Sequence, residues 1–145
     1  MHVHECIDIR RPAEVVWADV SKLSTHVEWM ADAESIEFQS AVHAGIGADF
    51  ICLTRVGPIR MRDRMTVTDW RENESIAIDH RGLVTGAGRF TLTALDESST
   101  RFCWDEILRF PPWAGGPLGG FVAQPILRRL WARNLRRLKA RIEQQ

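Results

Sequence analysis

From Glu34 to Phe110 the chain alternates apolar and polar side chains with period two, and turn residues interrupt it at the spacing of an antiparallel meander. The clearest stretch sets Ile59, Met61, Met65 and Val67 against Arg60, Arg62, Arg64, Thr66 and Thr68. Before it, Ile36, Phe38 and Val42 mark one face of a strand ended by Ala44-Gly45. Residues 47–56 predict another strand, apolar on both faces, so its inward side stays open. After it, Ile76 and Ile78, then Phe90 and Leu92, then Phe102, Trp104, Leu108 and Phe110 mark the inward faces of three more. His2 to Ile9 alternates as well, with Val3, Ile7 and Ile9 on one side and Glu5 out of pattern. Between this first strand and the second, Pro12 opens a helix through Val20, and Ser24 or Thr25 can cap a second short one carrying His26, Glu28 and Trp29.

The period changes at the end of the chain. Gly119 to Gln145 holds no strong breaker except Pro125, and at 100° per residue Ala123, Leu127, Leu130, Trp131, Leu135, Leu138 and Ile142 share one stripe. Arg129, Arg133 and Arg136 lie opposite. A stripe this apolar needs a surface to cover, so the pattern predicts a long helix closing over a curved antiparallel sheet. The fold class is α+β, one domain over residues 1–145: seven strands, two short helices after the first, and the terminal helix. The run 111–120, rich in Pro and Gly, predicts an irregular loop that either borders a cavity entrance and moves to admit a ligand or is a fixed connector with Trp113 packed on the sheet.

Composition narrows the function. Nineteen basic and nineteen acidic side chains cancel, so no overall field attracts nucleic acid. The basic residues between Arg128 and Arg141 share their segment with the apolar stripe and read as a solvated helix back. No apolar run approaches the roughly 20 residues of a membrane span, which predicts no integral membrane association. The N-terminus lacks a signal-peptide pattern, and the three widely spaced cysteines (Cys6, Cys52, Cys103) predict reduced thiols and a cytoplasmic protein. His2 and His4 share a strand face, but with no third ligand in view no metal is expected there. Without a Gly-rich phosphate loop, nucleophile elbow or Cys–His motif, no cofactor is expected either.

The informative residues are polar ones on inward faces. Asp63 falls between Met61 and Met65, Glu106 between Trp104 and Leu108, and His80 follows Ile76 and Ile78 in register. Turning the last strand inside out would expose Phe102, Trp104 and Leu108 and forfeit on the order of 5 kcal/mol, so Glu106 is expected inside. A buried carboxylate requires a partner, a raised pKa or a wet cavity. Each of the three is either a structural group or a proton carrier, and with no Tyr in the chain they are the candidate acid–base set. Asn134 in the helix stripe, and Gln124 near its edge, are either satisfied by neighbouring backbone or face a partly polar cavity.

The order strand, two short helices, six strands, long helix resembles the helix-grip fold of the START-like, Bet v 1-like superfamily (SRPBCC), which includes polyketide cyclases, dehydrases and lipid carriers. The residues that carry the likeness are Ile9-Arg-Arg-Pro12-Ala-Glu-Val-Val-Trp17, His26-Val-Glu-Trp29 and the terminal helix. The resemblance implies an apolar cavity between sheet and helix for a hydrophobic small molecule. Phe38, Met61, Met65, Phe90, Trp104, Leu127 and Trp131 would then be its walls, with Asp63, Glu106 and Asn134 orienting a polar end. Two functions follow from it: binding of an apolar or amphipathic molecule, or a cyclase or dehydratase using Asp63, Glu106 and His80. A third reading is a structural or assembly role with a filled core and the Arg-rich back of the helix outward. A homodimer is left open.

Overall fold

The computed structural model describes residues 1–145. Seven strands, β1 (His2–Ile9), β2 (Ala33–Phe38), β3 (Asp49–Val56), β4 (Ile59–Arg71), β5 (Ser75–Arg81), β6 (Thr85–Asp96) and β7 (Ser99–Arg109), form one antiparallel sheet in the order β1-β7-β6-β5-β4-β3-β2. The first two strands in sequence therefore lie at opposite edges. Helix α1 (Ala13–Val20) and the 3-10 helix Leu23–Glu28 carry the chain between them, and the C-terminal helix α2 (Gly116–Glu143) covers the buried face.

The period-two faces settle as their cross-strand partners require. Phe50 and Cys52 are buried opposite Met65 and Asp63, which turns the even-numbered side of β3 inward and resolves the face left open by its sequence. A register shift between Val67 and Asp69 ends the alternation of β4. Beyond it Trp70 meets Trp17 of α1 edge-on, ring centroids 5.3 Å apart. Helix α2 lays Trp131, Leu135, Leu138 and Ile142 into the same core as Val3, Ile9 and Phe102, each fully buried apolar side chain being worth about 2 kcal/mol. Glu5, the out-of-pattern residue of β1, sits under the helix and takes an ion pair from Arg128 at 3.1 Å.

Several expectations need correction. Helix α2 starts at Gly116, three residues before Gly119, because Pro117 falls in its first turn, where a missing N–H has no helical partner to lose. The run before it is not irregular: Pro112–Ala114 is a 3-10 helix, and Gly115 at φ 92° reverses the chain in a conformation that favours glycine. Val42 lies beyond β2 and is exposed. Neither Ser24 nor Thr25 caps the second short helix; the Thr25 hydroxyl donates to the Lys22 carbonyl at 2.7 Å from within the turn. Finally, Cys6 and Cys103 form a disulfide between β1 and β7, and only Cys52 is a free thiol. Sequence spacing hid this pair because β1 and β7 become neighbours only when the sheet closes. No helix is long and apolar enough to cross a membrane.

Candidate functional site

Between the sheet and α2 lies a cavity of about 520 Å³, and 24 of its 31 lining residues are hydrophobic. That volume is in the range of small-molecule sites. Met61 and Met65 of β4, Phe90 of β6, Trp104 of β7 and Leu127 and Trp131 of α2 contribute to its wall, as their strand and helix faces dictate. Trp113 and Ala114 border it from the turn before α2, and Trp113 is 76% exposed.

Two of the three acid–base candidates meet there. Glu106 is 4% exposed, and its Oε2 stands 3.1 Å from His80 Nε2. The Trp104 indole donates to Glu106 Oε1 at 2.9 Å. The approach of His80 to Glu106 is that of an ion pair and not an aligned hydrogen bond, and neither Nε2 nor Oε2 has another partner. Burial works to neutralise His80, but the carboxylates of Glu106, Asp63 and Asp79 outweigh it and hold the imidazole above its ordinary value. Asp63 is buried beside this pair without joining the cavity wall. Burial raises its pKa, against the opposing pull of His80 and the Leu83 backbone, and its Oδ1 has no hydrogen-bond partner.

Gly88 is the residue that makes room for Glu106. It pairs with Glu106 across β6 and β7, and a Cβ there would lie 2.7 Å from Oε1. Gly82 serves Asp63 in the same way, since its Cβ would fall 2.1 Å from Oδ1. An inward carboxylate facing a glycine one or two strands away is a signal that needs strand register to be seen.

Phe38 and Asn134 stand outside the wall. Phe38 stacks on His43 at 3.9 Å and pairs with Phe50 across β2 and β3, ring centroids 5.8 Å apart. Asn134, fully buried, accepts from the Ala31 N–H at 3.0 Å and donates to Asp32 Oδ1 at 2.8 Å. It thus clamps the turn before β2 onto α2. Gln124 likewise turns to backbone, donating to the His2 carbonyl at 2.8 Å. Asp32, which its sequence position did not single out, lines the cavity, and burial raises its pKa despite the Asn134 bond. His26 lines it too, but burial pushes its pKa down to about 4 and its Nε2 lies 2.7 Å from the Val20 carbonyl, so it is a neutral structural imidazole.

Residues 1–143 match the family model described as polyketide cyclase/dehydrase and lipid transport. No curated protein sequence matches the chain. Among solved structures, a conserved protein from Geobacillus kaustophilus superposes with a TM-score of 0.80 at 13% identity, covering 99% of this chain and 96% of that one. The Zhui aromatase/cyclase from Streptomyces sp. R1128 gives 0.73 at 18% identity, covering 99% and 93%. A START superfamily protein from Mycobacterium smegmatis gives 0.73 at 17%, covering 99% and 97%. At such identities the likeness is one of fold. The whole-chain match to the family model goes further, and with the seven-stranded sheet closed by its C-terminal helix it makes this chain a member of the polyketide cyclase/dehydrase and lipid transport family.

Proposed function

We propose that the protein binds an apolar or amphipathic small molecule between sheet and α2, with the molecule's polar end directed at His80 and Glu106. The observation that carries this reading is one pair of unsatisfied polar atoms, His80 Nε2 and Glu106 Oε2, in an otherwise hydrophobic wall. A carbonyl or hydroxyl entering between them would accept from the imidazole and, if a hydroxyl, donate to the carboxylate. The rest of the ligand would rest on Met61, Met65, Phe90, Trp104 and Trp131. Trp104 and Trp131, 5.2 Å apart, make the binding measurable by quenching of indole emission. Hydroxylated naphthalenes and anthraquinones should quench it saturably, and Met61→Trp, which fills the cavity, should weaken that binding at least tenfold. Equal affinity in Met61→Trp would refute the site.

The same pair favours an enzymatic reading as the alternative. Glu106 as carboxylate can take a proton from the carbon beside a ligand carbonyl while protonated His80 delivers one to the oxygen, giving an enol and leaving both side chains neutral. Aldol ring closure or loss of water would follow from that enol. Product formation by wild type, absent from a Glu106→Gln protein that still binds, would establish it. Binding with no turnover of any β-polyketone offered would leave the carrier.

A further inference from the structure

We infer that the outer face of β1 and β7 carries a second site, remote from the cavity: a redox-gated site for a thiophilic divalent cation, with the Cys6 and Cys103 thiolates and His4 Nε2 as ligands. The alternation of β1 puts His2, His4 and Cys6 on its outward face. Pairing with β7 sets Cys103 opposite Cys6 and Asp105 opposite His4. Neither strand alone holds a ligand set, which is why the histidines lacked a third partner in the sequence.

The distances suit an ion. The candidate ligand atoms of His4, Cys6 and Cys103 all lie within 4.8 Å of one another, and Cys6 Sγ is 3.2 Å from His4 Nε2. Tetrahedral zinc, with bonds of about 2.3 Å to sulfur and about 2.0 Å to nitrogen, places S and N roughly 3.5 Å apart and two sulfurs roughly 3.7 Å apart. Once the disulfide is opened, side-chain rotation on fixed strands suffices to reach those separations. His4 is already oriented. Its Nδ1 meets Asp105 Oδ1, which leaves Nε2 as the free lone pair and makes the carboxylate–histidine arrangement that holds metal-ligating imidazoles. Asp105 is therefore a positioning residue, also approached by His2 at 3.3 Å. Two thiolates and an imidazole select zinc-like ions over magnesium or calcium, with a water completing the fourth position.

The gate is the Cys6–Cys103 bond. A dithiol reductant delivers two electrons and two protons, is itself oxidised to a disulfide, and leaves two thiols. Binding the cation then releases both thiol protons. Oxidation removes two ligands at once, so the oxidised protein has no site. A purely structural staple would need neither His4 nor Asp105 beside it.

Cobalt is the probe. Protein reduced with dithiothreitol, freed of reductant without air and titrated with Co²⁺ should develop sulfur-to-cobalt charge transfer at one equivalent, lost on adding one equivalent of Zn²⁺. The oxidised protein should show none. Cys103→Ser and His4→Ala should abolish or strongly reduce the band, and Asp105→Asn should weaken affinity about 10- to 100-fold. As a check independent of variant folding, Zn²⁺ should protect two thiols of reduced wild type from alkylation, since Cys52 is buried. No band in the reduced protein, an unchanged band in Cys103→Ser or His4→Ala, or alkylation indifferent to Zn²⁺ would overturn the site. Unchanged affinity in Asp105→Asn would overturn the role given to Asp105.

Discussion

Gly88 stands opposite Glu106 across the β6–β7 ladder, with its missing side chain where the carboxylate lies. The backbone at Gly88 is not in the left-handed region, so alanine there costs nothing in conformation and acts through space alone. A Cβ at 2.7 Å from Oε1 and 2.9 Å from the carboxyl carbon forces Glu106 aside. Gly88→Ala should destabilise the fold by about 1–3 kcal/mol and separate Glu106 from His80. Urea denaturation checks the first effect and His80 titration the second; a stable variant with unaltered His80 would show the glycine to be incidental.

Glu106→Gln tests the pair directly. Gln keeps an oxygen for the Trp104 N–H but removes the charge that opposes His80 burial. The imidazole resonances of His80, which in wild type should titrate above the ordinary histidine value, should drop in the variant. The linkage has a definite sign. A histidine with a raised folded pKa contributes its stability fully below about 6.5 and loses it as pH rises through the folded value. Wild type should therefore lose stability relative to Glu106→Gln as pH rises above about 6.5.

His26 has the opposite sign. Its folded pKa of about 4 lies below the ordinary 6.5, so the unfolded chain binds the proton more readily and stability falls as pH drops between those values. The loss should reach about 3 kcal/mol near pH 4. Asp63, Asp32 and His80 slope the other way over part of that range, because their folded forms hold protons more tightly. The difference between wild type and His26→Gln isolates the contribution of the imidazole: Gln can still donate to the Val20 carbonyl, and the variant should lose the acid-side decline. Parallel stability curves would contradict the assignment.

These residues also mark where sequence reading reaches and where it stops. The fold was legible because alternation on β4, β5, β6 and β7 and the stripe of α2 are local patterns, each with one way to bury its large side chains. Glu106 was legible as an inward carboxylate for the same reason. Its partnership with His80, the glycine facing it and the Cys6–Cys103 pair were not, since each depends on which strands become neighbours. Asn134 stayed open in the sequence because a buried amide on a helix stripe has two destinations, and only the return of residues 31–32 to α2 decides for the satisfied one.

The mouth of the cavity yields a prediction about motion. Trp113 is exposed at the rim, and the turn holding it rests on short-range bonds: the N–H groups of Ala114 and Gly116 to Pro111, and that of Gly115 to Pro112. No strand pairs with this turn, so we propose that it opens to admit ligand. Hydrogen exchange at residues 113–116 should be fast in the free protein and slow at least fivefold with an anthraquinone ligand bound. Exchange as slow as in β6 and unchanged by ligand would make the turn a fixed connector.

Asn134 gives the last test. Its amide holds Ala31 and Asp32 at once, and Asp32 carries a carboxyl that burial already drives toward protonation. Asn134→Leu keeps the volume and the apolar stripe but strands the Ala31 N–H and the Asp32 carboxylate. The cost should be about 2–4 kcal/mol at pH 7, well above that of an exposed substitution. Part of it should be recovered in the double variant Asn134→Leu with Asp32→Leu, which removes the stranded carboxylate as well. Additive losses in the double variant would mean that the two side chains act independently. If instead Asn134 contacts ligand, Asn134→Leu should weaken naphthol binding while leaving the urea midpoint in place; the clamp predicts the reverse, a lowered midpoint with binding retained below it.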